Sequence, residues 1–188
     1  MEANPDIVQE FFRFSETIAH HFLVTIYRLP QNVLSSLLQR ATIALGLQER
    51  YSLVGSCKFL VTLLRETFAN GDLTREADAL MDIHGKQMIS AVIYAVASSA
   101  PRSATVNIGE VLYYLASKRA MQSRAYLTEI LFSADFTTKH PLATQKSKEQ
   151  FISLILAARS GNKTRAAISQ FQSVARGLEG TSYGYVSI

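Results

Sequence analysis

Four histidines, one cysteine and fifteen carboxylates are the groups from which this 188-residue chain could build a reactive centre. Their spacing builds none. Glu16 and His20 stand four apart, one helical turn, with His21 adjacent; that is the start of a metal site without a third ligand. His84 falls between Leu80 and Met88, next to Gly85. A partly buried, hydrogen-bonded histidine at a close helix contact is expected there, and a general base would lack a nucleophile. His140 precedes Pro141 in a polar loop and is assigned no chemistry. Gly-rich phosphate loops, paired cysteines and HExxH are all missing. Cys57, within VGSCKFLVTLL, has no second thiol to pair with, which fits a reducing compartment. No catalytic residue, metal ligand or cofactor is expected, and the chain reads as a non-enzyme.

Other polar residues suit binding better than reaction. Asp78, Asp82, Lys86, Ser90 and Tyr94 recur every four residues and would line one exposed stripe of a helix, ending in an aromatic ring. Arg124 is a further candidate for protein binding, as are Lys163 and Arg176 of the last helix. The last two are expected on the same side of the molecule as the stripe.

Helices must carry these residues, and the composition supplies little else. Nine glycines and four prolines are too few breakers for a many-stranded β protein. Apolar residues make up 48% and charged ones 18%, below the roughly 25% charge of ordinary domains, so there is much surface to bury. The least polar run, 88–97, is far short of the ~20 residues of a membrane span, and the acidic start MEANPDIVQE lacks the marks of a signal peptide. A soluble, intracellular protein is expected. Positive charge gathers after position 100, but it is scattered apart from Lys118-Arg119 and not interleaved with aromatics. Nucleic acid is therefore not expected as a partner.

Asn4-Pro5-Asp6 predicts a helix start. On the helix that follows, Ile7, Phe11, Phe14, Ile18 and Phe22 form one apolar stripe, and Val8, Phe12, Ala19 and Leu23 a second. A helix apolar on half its circumference needs two neighbours. Further helices are predicted from Pro30 to about 45, and at about 51–68, 76–98, 103–118, 122–132, 146–160 and 163–176, the last stopped by Gly177. Odd-numbered helices begin near 6, 50, 103 and 146, and even-numbered ones near 31, 78, 122 and 163. Those intervals bracket the ~40–47 residues of HEAT and armadillo arrays. About four antiparallel helix pairs in an all-α, HEAT-repeat solenoid are expected, as one domain spanning 1–188. The approximate repeats are 4–47, 50–100, 102–133 and 146–178, with a C-terminal tail at 179–188. The competing arrangement is a globular bundle of eight helices.

NPDIVQEFFRFSETIAHHF and QRATIALGLQERYSLVGSCKFLVTLLRETF resemble tandem HEAT repeats of the importin-β superfamily of nuclear transport receptors. HGKQMISAVIYAVASSAPRSATVNIGEVLYYL is similar to the late repeats of that family. KEQFISLILAARSGNKTRAAISQFQSVARGLEGTSY is similar to the extreme C-terminus of its transportin-SR and importin-thirteen branch. The resemblance implies a right-handed superhelical solenoid and a karyopherin-type function. The chain would be a C-terminal segment of a nuclear import receptor, contributing a cargo surface and moving between cytoplasm and nucleus. It further implies cargo proteins as partners and Ran GTPase through a full-length parent, whose Ran site lies on N-terminal repeats, so no Ran-contact residue is assigned. Nucleoporins are a possible partner of the parent. The alternative is a HEAT scaffold without a transport role. Because one stripe of the first helix has no partner in the chain, an open Val8, Phe12, Leu23 side and self-association through it are expected.

Overall fold

The protein is represented by a computed structural model that describes residues 4–179. Pro5 opens helix α1 (Pro5–His21), with Asn4 in the N-cap position although its side chain makes no capping bond. A short α2 (Leu23–Tyr27) and Pro30 lead into α3 (Gln31–Ala44). The next helix, α4 (Arg50–Ala69), starts at Glu49, whose carboxylate accepts from the backbone N–H groups of Tyr51 and Ser52 at 2.6 and 2.8 Å. A negative group there satisfies amides that have no intrahelical partner.

The following stretch is one rod of mixed pitch: α5 (Thr74–Leu80), a π turn Met81–Gly85, α6 (Lys86–Tyr94) and a second π turn Ala95–Ser99. It stops at Ala100, extended before Pro101. Four helices follow: α7 (Thr105–Lys118), α8 (Ala120–Leu131), the short α9 (Ala134–Lys139) and α10 (Gln145–Ala157). The last helix, α11 (Gly161–Ala175), ends at Gly177 with φ +66. There the Leu178 N–H reaches Ser173 O and the Gly177 N–H reaches Val174 O, the paired bonds of a left-handed glycine cap. Among the described residues there is no strand.

The helices form two layers. In the first, α1, α4, α7 and α11 lie side by side; in the second, α3, the 74–99 rod, α8 and α10 do. Each inner helix of the first layer is approached at a glycine. A Cβ on Gly55 would sit 3.4 Å from Phe12 Cβ, and one on Gly109 would sit 3.5 Å from Arg165 Cα. The middle helix α4 is covered from both sides, with Leu53, Cys57, Phe59, Leu60, Leu63 and Leu64 all fully buried. Burial in this apolar setting pushes the Cys57 thiol well above its ordinary value. Helices apolar on two sides and stacked in two layers make this an all-α HEAT-type solenoid.

Two expectations are corrected. The open side of α1 is not the Val8, Phe12, Leu23 side. Phe12 is fully buried and stacks on Phe59 with ring centroids 6.2 Å apart, while Val8 and Leu23 are partly covered. The exposed stripe is instead Ile7, Phe11, Phe14 and Phe22. The stripe left exposed is the bulkier of the two in sequence; Gly55 and Phe59 on α4 decide between them, because the Phe12 side meets a gap at Gly55 backed by the Phe59 ring. The second correction concerns the last pair, whose order is reversed. After α8 the chain does not cross layers: α9 and its flanking turns bring it back, so α10 lies beside α8 and α11 beside α7. Lys163 and Arg176 therefore belong to the layer opposite Asp78, Asp82, Lys86 and Tyr94.

Candidate protein-binding surface

A strict four-residue repeat drifts about 40° per step on a regular α-helix, so Asp78 and Tyr94 would face nearly opposite sides. The π turn at Met81–Gly85 acts as one inserted residue and returns the phase by about 100°. All of Asp78, Asp82, Lys86 and Tyr94 consequently face the segment from Arg119 through α8 to α9, and each has a partner there. Arg119 donates to Asp78, and Gln122 Nε2 donates to Asp82 Oδ1 at 2.6 Å. Lys86 donates to Glu129, and the Tyr94 hydroxyl donates to Asp135. The partners are 41, 40, 43 and 41 residues apart, one repeat at each rung. A single exposed ion pair contributes only about 0–1 kcal/mol. Two such pairs and two hydrogen bonds to carboxylates, in register, set how one repeat sits on the next, so the stripe forms a seam.

The seam ends in a cluster around α9. Phe136, fully buried, meets the rings of Tyr94 at 5.4 Å, His140 at 4.7 Å and Phe171 at 6.5 Å. Phe151 stacks on Phe171 at 4.4 Å, tying α10 to α11. Lys148 is almost fully covered: its ammonium donates to Thr137 Oγ1 at 2.9 Å and lies 5.5 Å from the Phe132 and Phe136 rings. Desolvation lowers its pKa. His140 is no idle loop residue, for it is 8% exposed and packed on Phe136. Sequence reasoning missed it because the segment reads as a polar loop, whereas Phe136 one turn earlier and Tyr94 of the rod enclose it.

Arg176 does not point outward. Its Nε donates to Val96 O and its Nη2 to Ala95 O, both at 2.9 Å and 80 and 81 residues away. Burial and the charge of Arg102 hold its pKa below the usual value. Hydrogen bonds from a charged donor contribute about 1.5–3 kcal/mol; this clamp fastens the last helix to the end of the 74–99 rod. Lys163 is exposed in the first turn of α11.

Arg124 is the candidate that lies in an open groove. Arg124, Thr128 and Phe132 on α8 face Glu149, Ile152, Ser153, Leu156 and Ala157 on α10 across a cleft of about 700 Å³. Ile152 and Leu156 help form an apolar floor, Phe132 is 40% exposed, and Arg124 and Glu149 stand on opposite rims. The i, i+4, i+8 stripes that line it were legible on each helix separately; that α8 and α10 are neighbours was not. A second cleft of about 740 Å³ opens on the other side of the seam, where Thr42, Ile43 and Gly46 of α3 face Gln87, Ser90 and Ser98.

Glu16 and His20 turn to different partners, Thr62 and Glu66, at 3.4 and 3.5 Å. Among the described residues no three His, Cys, Asp or Glu side chains converge as a metal site, and no helix is long and apolar enough to cross a membrane.

Desolvation lowers the pKa of His84, and that of His140 together with the charges of Lys139 and Arg176, against the opposing pull of Asp135. Below the ordinary value of 6.5 the unfolded chain therefore takes up these protons before the folded one. Stability from the two neutral imidazoles is complete above 6.5 and is lost as pH falls from there toward the folded values. Urea midpoints measured at about pH 7.5 and about pH 5.5 are expected to be lower at the acid value, with a smaller difference in His140→Asn. An equal difference in that variant would remove His140 as a contributor.

Two layers of paired helices, joined rung to rung at one-repeat intervals, define a helical-repeat scaffold. Residues 45–123 match the family model described as Importin 13 repeat. The match runs from just after α3 through α4, the 74–99 rod and α7 to the first turn of α8, so the similarity covers less than half of the chain. The family is a transport-receptor scaffold and not an enzyme family. No curated protein matches the chain.

Proposed function

We propose that the chain is a C-terminal segment of a karyopherin-type nuclear import receptor and contributes a cargo-binding surface. The importin-type repeat at 45–123 carries this reading. The C-terminal placement rests on the resemblance of the tail sequence, whose residues after Glu179 lie outside the described ones, and on the polar outer face of α11, which suits the end of a stack. The repeat division is taken as 4–47, 50–100, 102–133 and 146–178, with the fourth pair entering in reversed order and 179–188 as a tail. Contact with Ran GTPase and nucleoporins belongs to a full-length receptor that shuttles between cytoplasm and nucleus. Self-association through the exposed stripe of α1 is part of the same reading.

Cargo binding centres on the α8–α10 groove. Asp78, Asp82, Lys86 and Tyr94 already hold partners in the seam, and Arg176 holds backbone carbonyls. Arg124, by contrast, stands on a groove rim with no ion pair among the described residues. An arginine and an exposed aromatic along one groove are residue types of interface anchors. Affinity capture from cytosol, with the bound proteins identified by mass spectrometry, tests this. Nuclear-resident proteins are expected, with Arg124→Glu reducing their capture about thirtyfold, as loss of about 2 kcal/mol implies. Lys163→Glu, on the opposite layer, should leave capture unchanged. Equal capture by both variants would remove the groove as the site; purely cytoplasmic proteins released by Arg124→Glu would favour a HEAT scaffold without a transport role.

A further inference from the structure

Resting on the cargo reading of the α8–α10 groove, we propose that the groove takes one amphipathic α-helix of a partner protein, carrying a basic and an acidic side chain two turns apart. The walls suit a helix. α8 and α10 run in opposite directions, since the end of α8 meets the start of α10, where the Lys148 ammonium lies 5.5 Å from the Phe132 ring. Two antiparallel helices set apart leave a trough along both axes, and a third helix lying in it packs against each. A strand finds no such seat: among the described residues there is no sheet edge to receive its backbone hydrogen bonds. Ile152 and Leu156, one turn apart on α10, help form the floor, with Phe132 at one end. Thr128 and Ser153, both exposed on the walls, are small enough to let a helix settle between them. Apolar side chains at helical spacing then reach the floor along its length. Preceding or following repeats pack on the outer flanks of a stack and leave a cleft between two of its own helices open.

Charge supplies the rest of the signature. Because the walls are antiparallel, Arg124 and Glu149 lie not just on opposite walls but at opposite ends of the groove. Phe132, at the Glu149 end, is eight residues beyond Arg124, which is about 12 Å along a helix axis. Arg124 has no ion pair among the described residues. Glu149 accepts a hydrogen bond from Gln145 Nε2 at 2.8 Å, which leaves its charge unneutralised. Lys148, next to it, is buried and held on Thr137, and does not line the groove. An acid of the bound helix over Arg124 and a base beside Glu149 are therefore seven or eight residues apart. A helix with two acids or two bases meets like charge at one end.

A display library of randomised peptides, about sixteen residues or roughly four helical turns long, is selected on the full chain and counter-selected on Arg124→Glu. Enriched sequences are expected to carry apolar residues at helical spacing, a base and an acid seven or eight apart, and no interior proline. A synthetic peptide from that set should gain helical circular dichroism on binding. Arg124→Glu should weaken its binding about tenfold, and replacing the peptide's acid by lysine should restore binding to that variant. Arg124 is exposed, so the variant should melt as the wild type does. Enriched peptides of alternating or proline-rich pattern, or no gain of helix on binding, would overturn the helix and leave the groove as a cargo site. A library that yields nothing dependent on Arg124 would overturn the helix as well. If wild type and Arg124→Glu then also capture cytosolic proteins equally, the cargo reading falls with it. Binding that appears after removal of residues 180–188, and not before, would make the chain's own tail the occupant and overturn the partner helix.

Discussion

Phe136→Ala is expected to destabilise the chain by about 3–5 kcal/mol, the range for a buried phenylalanine cut back to alanine. This holds although Phe136 sits in a six-residue helix between two turns. So short a helix has no stability of its own. Its one side-chain cap, Ser133 accepting from the Phe136 N–H at 3.1 Å, contributes about 1 kcal/mol. The ring supplies the rest: it is fully buried and touches Tyr94 of the rod, His140, and Phe171 of α11. It thereby fixes the reversal that brings α10 back beside α8. Truncation would leave a cavity bordered by three helices and the partly desolvated ammonium of Lys148, which lies 5.5 Å from that ring. Tyr94→Phe keeps the ring contact and removes the hydroxyl's exposed bonds to Asp135 and Ser133, so it should cost about 1 kcal/mol. Urea denaturation of the two variants decides the matter. A loss below about 1 kcal/mol for Phe136→Ala would mean that the reversal is held by something else, and that the reversed last pair is not anchored through α9.

Much of the layering was legible because each helix carries its own periodicity. The double apolar face of α1, the broad face of α4 and the Gly177 stop can be read without knowing any neighbour. What could not be read lies between helices. Whether Phe12 or Phe14 turns inward depends on Gly55 and Phe59, which no periodicity of α1 contains. The layer of α10 depends on Phe136, in a segment whose polar character reads as loop. The four-residue stripe from Asp78 to Tyr94 would not face one way on a regular helix; the π turn at Met81–Gly85 aligns it, and such turns have no period to detect. Arg176 has the composition of a solvated terminal residue, and its carbonyl partners lie two repeats earlier. Surface polarity in a repeat array is thus a poor guide to a free surface, because the next repeat supplies partners at a distance of about one period.

Leu60→Ala is expected to cost about 2–5 kcal/mol, and Ile7→Ala under about 0.5 kcal/mol, although both are large aliphatic residues on apolar helix faces. The contrast follows from position in the stack. Leu60 is fully buried on α4, the helix that has α1 on one flank and α7 on the other. Its truncation opens a cavity that neither neighbour can fill without moving a whole layer, so the cost lies toward the upper part of the range. Ile7, 68% exposed on the first helix of the same layer, loses little contact when shortened. Denaturant melts are run at two protein concentrations, because a midpoint that depends on concentration would report association as well as folding. With that precaution, a gradient of cost from α1 to α4 is the signature of a stack whose end helix has one neighbour and whose inner helix has two. Equal costs at the two positions would point to a closed bundle in which α1 is as enclosed as α4.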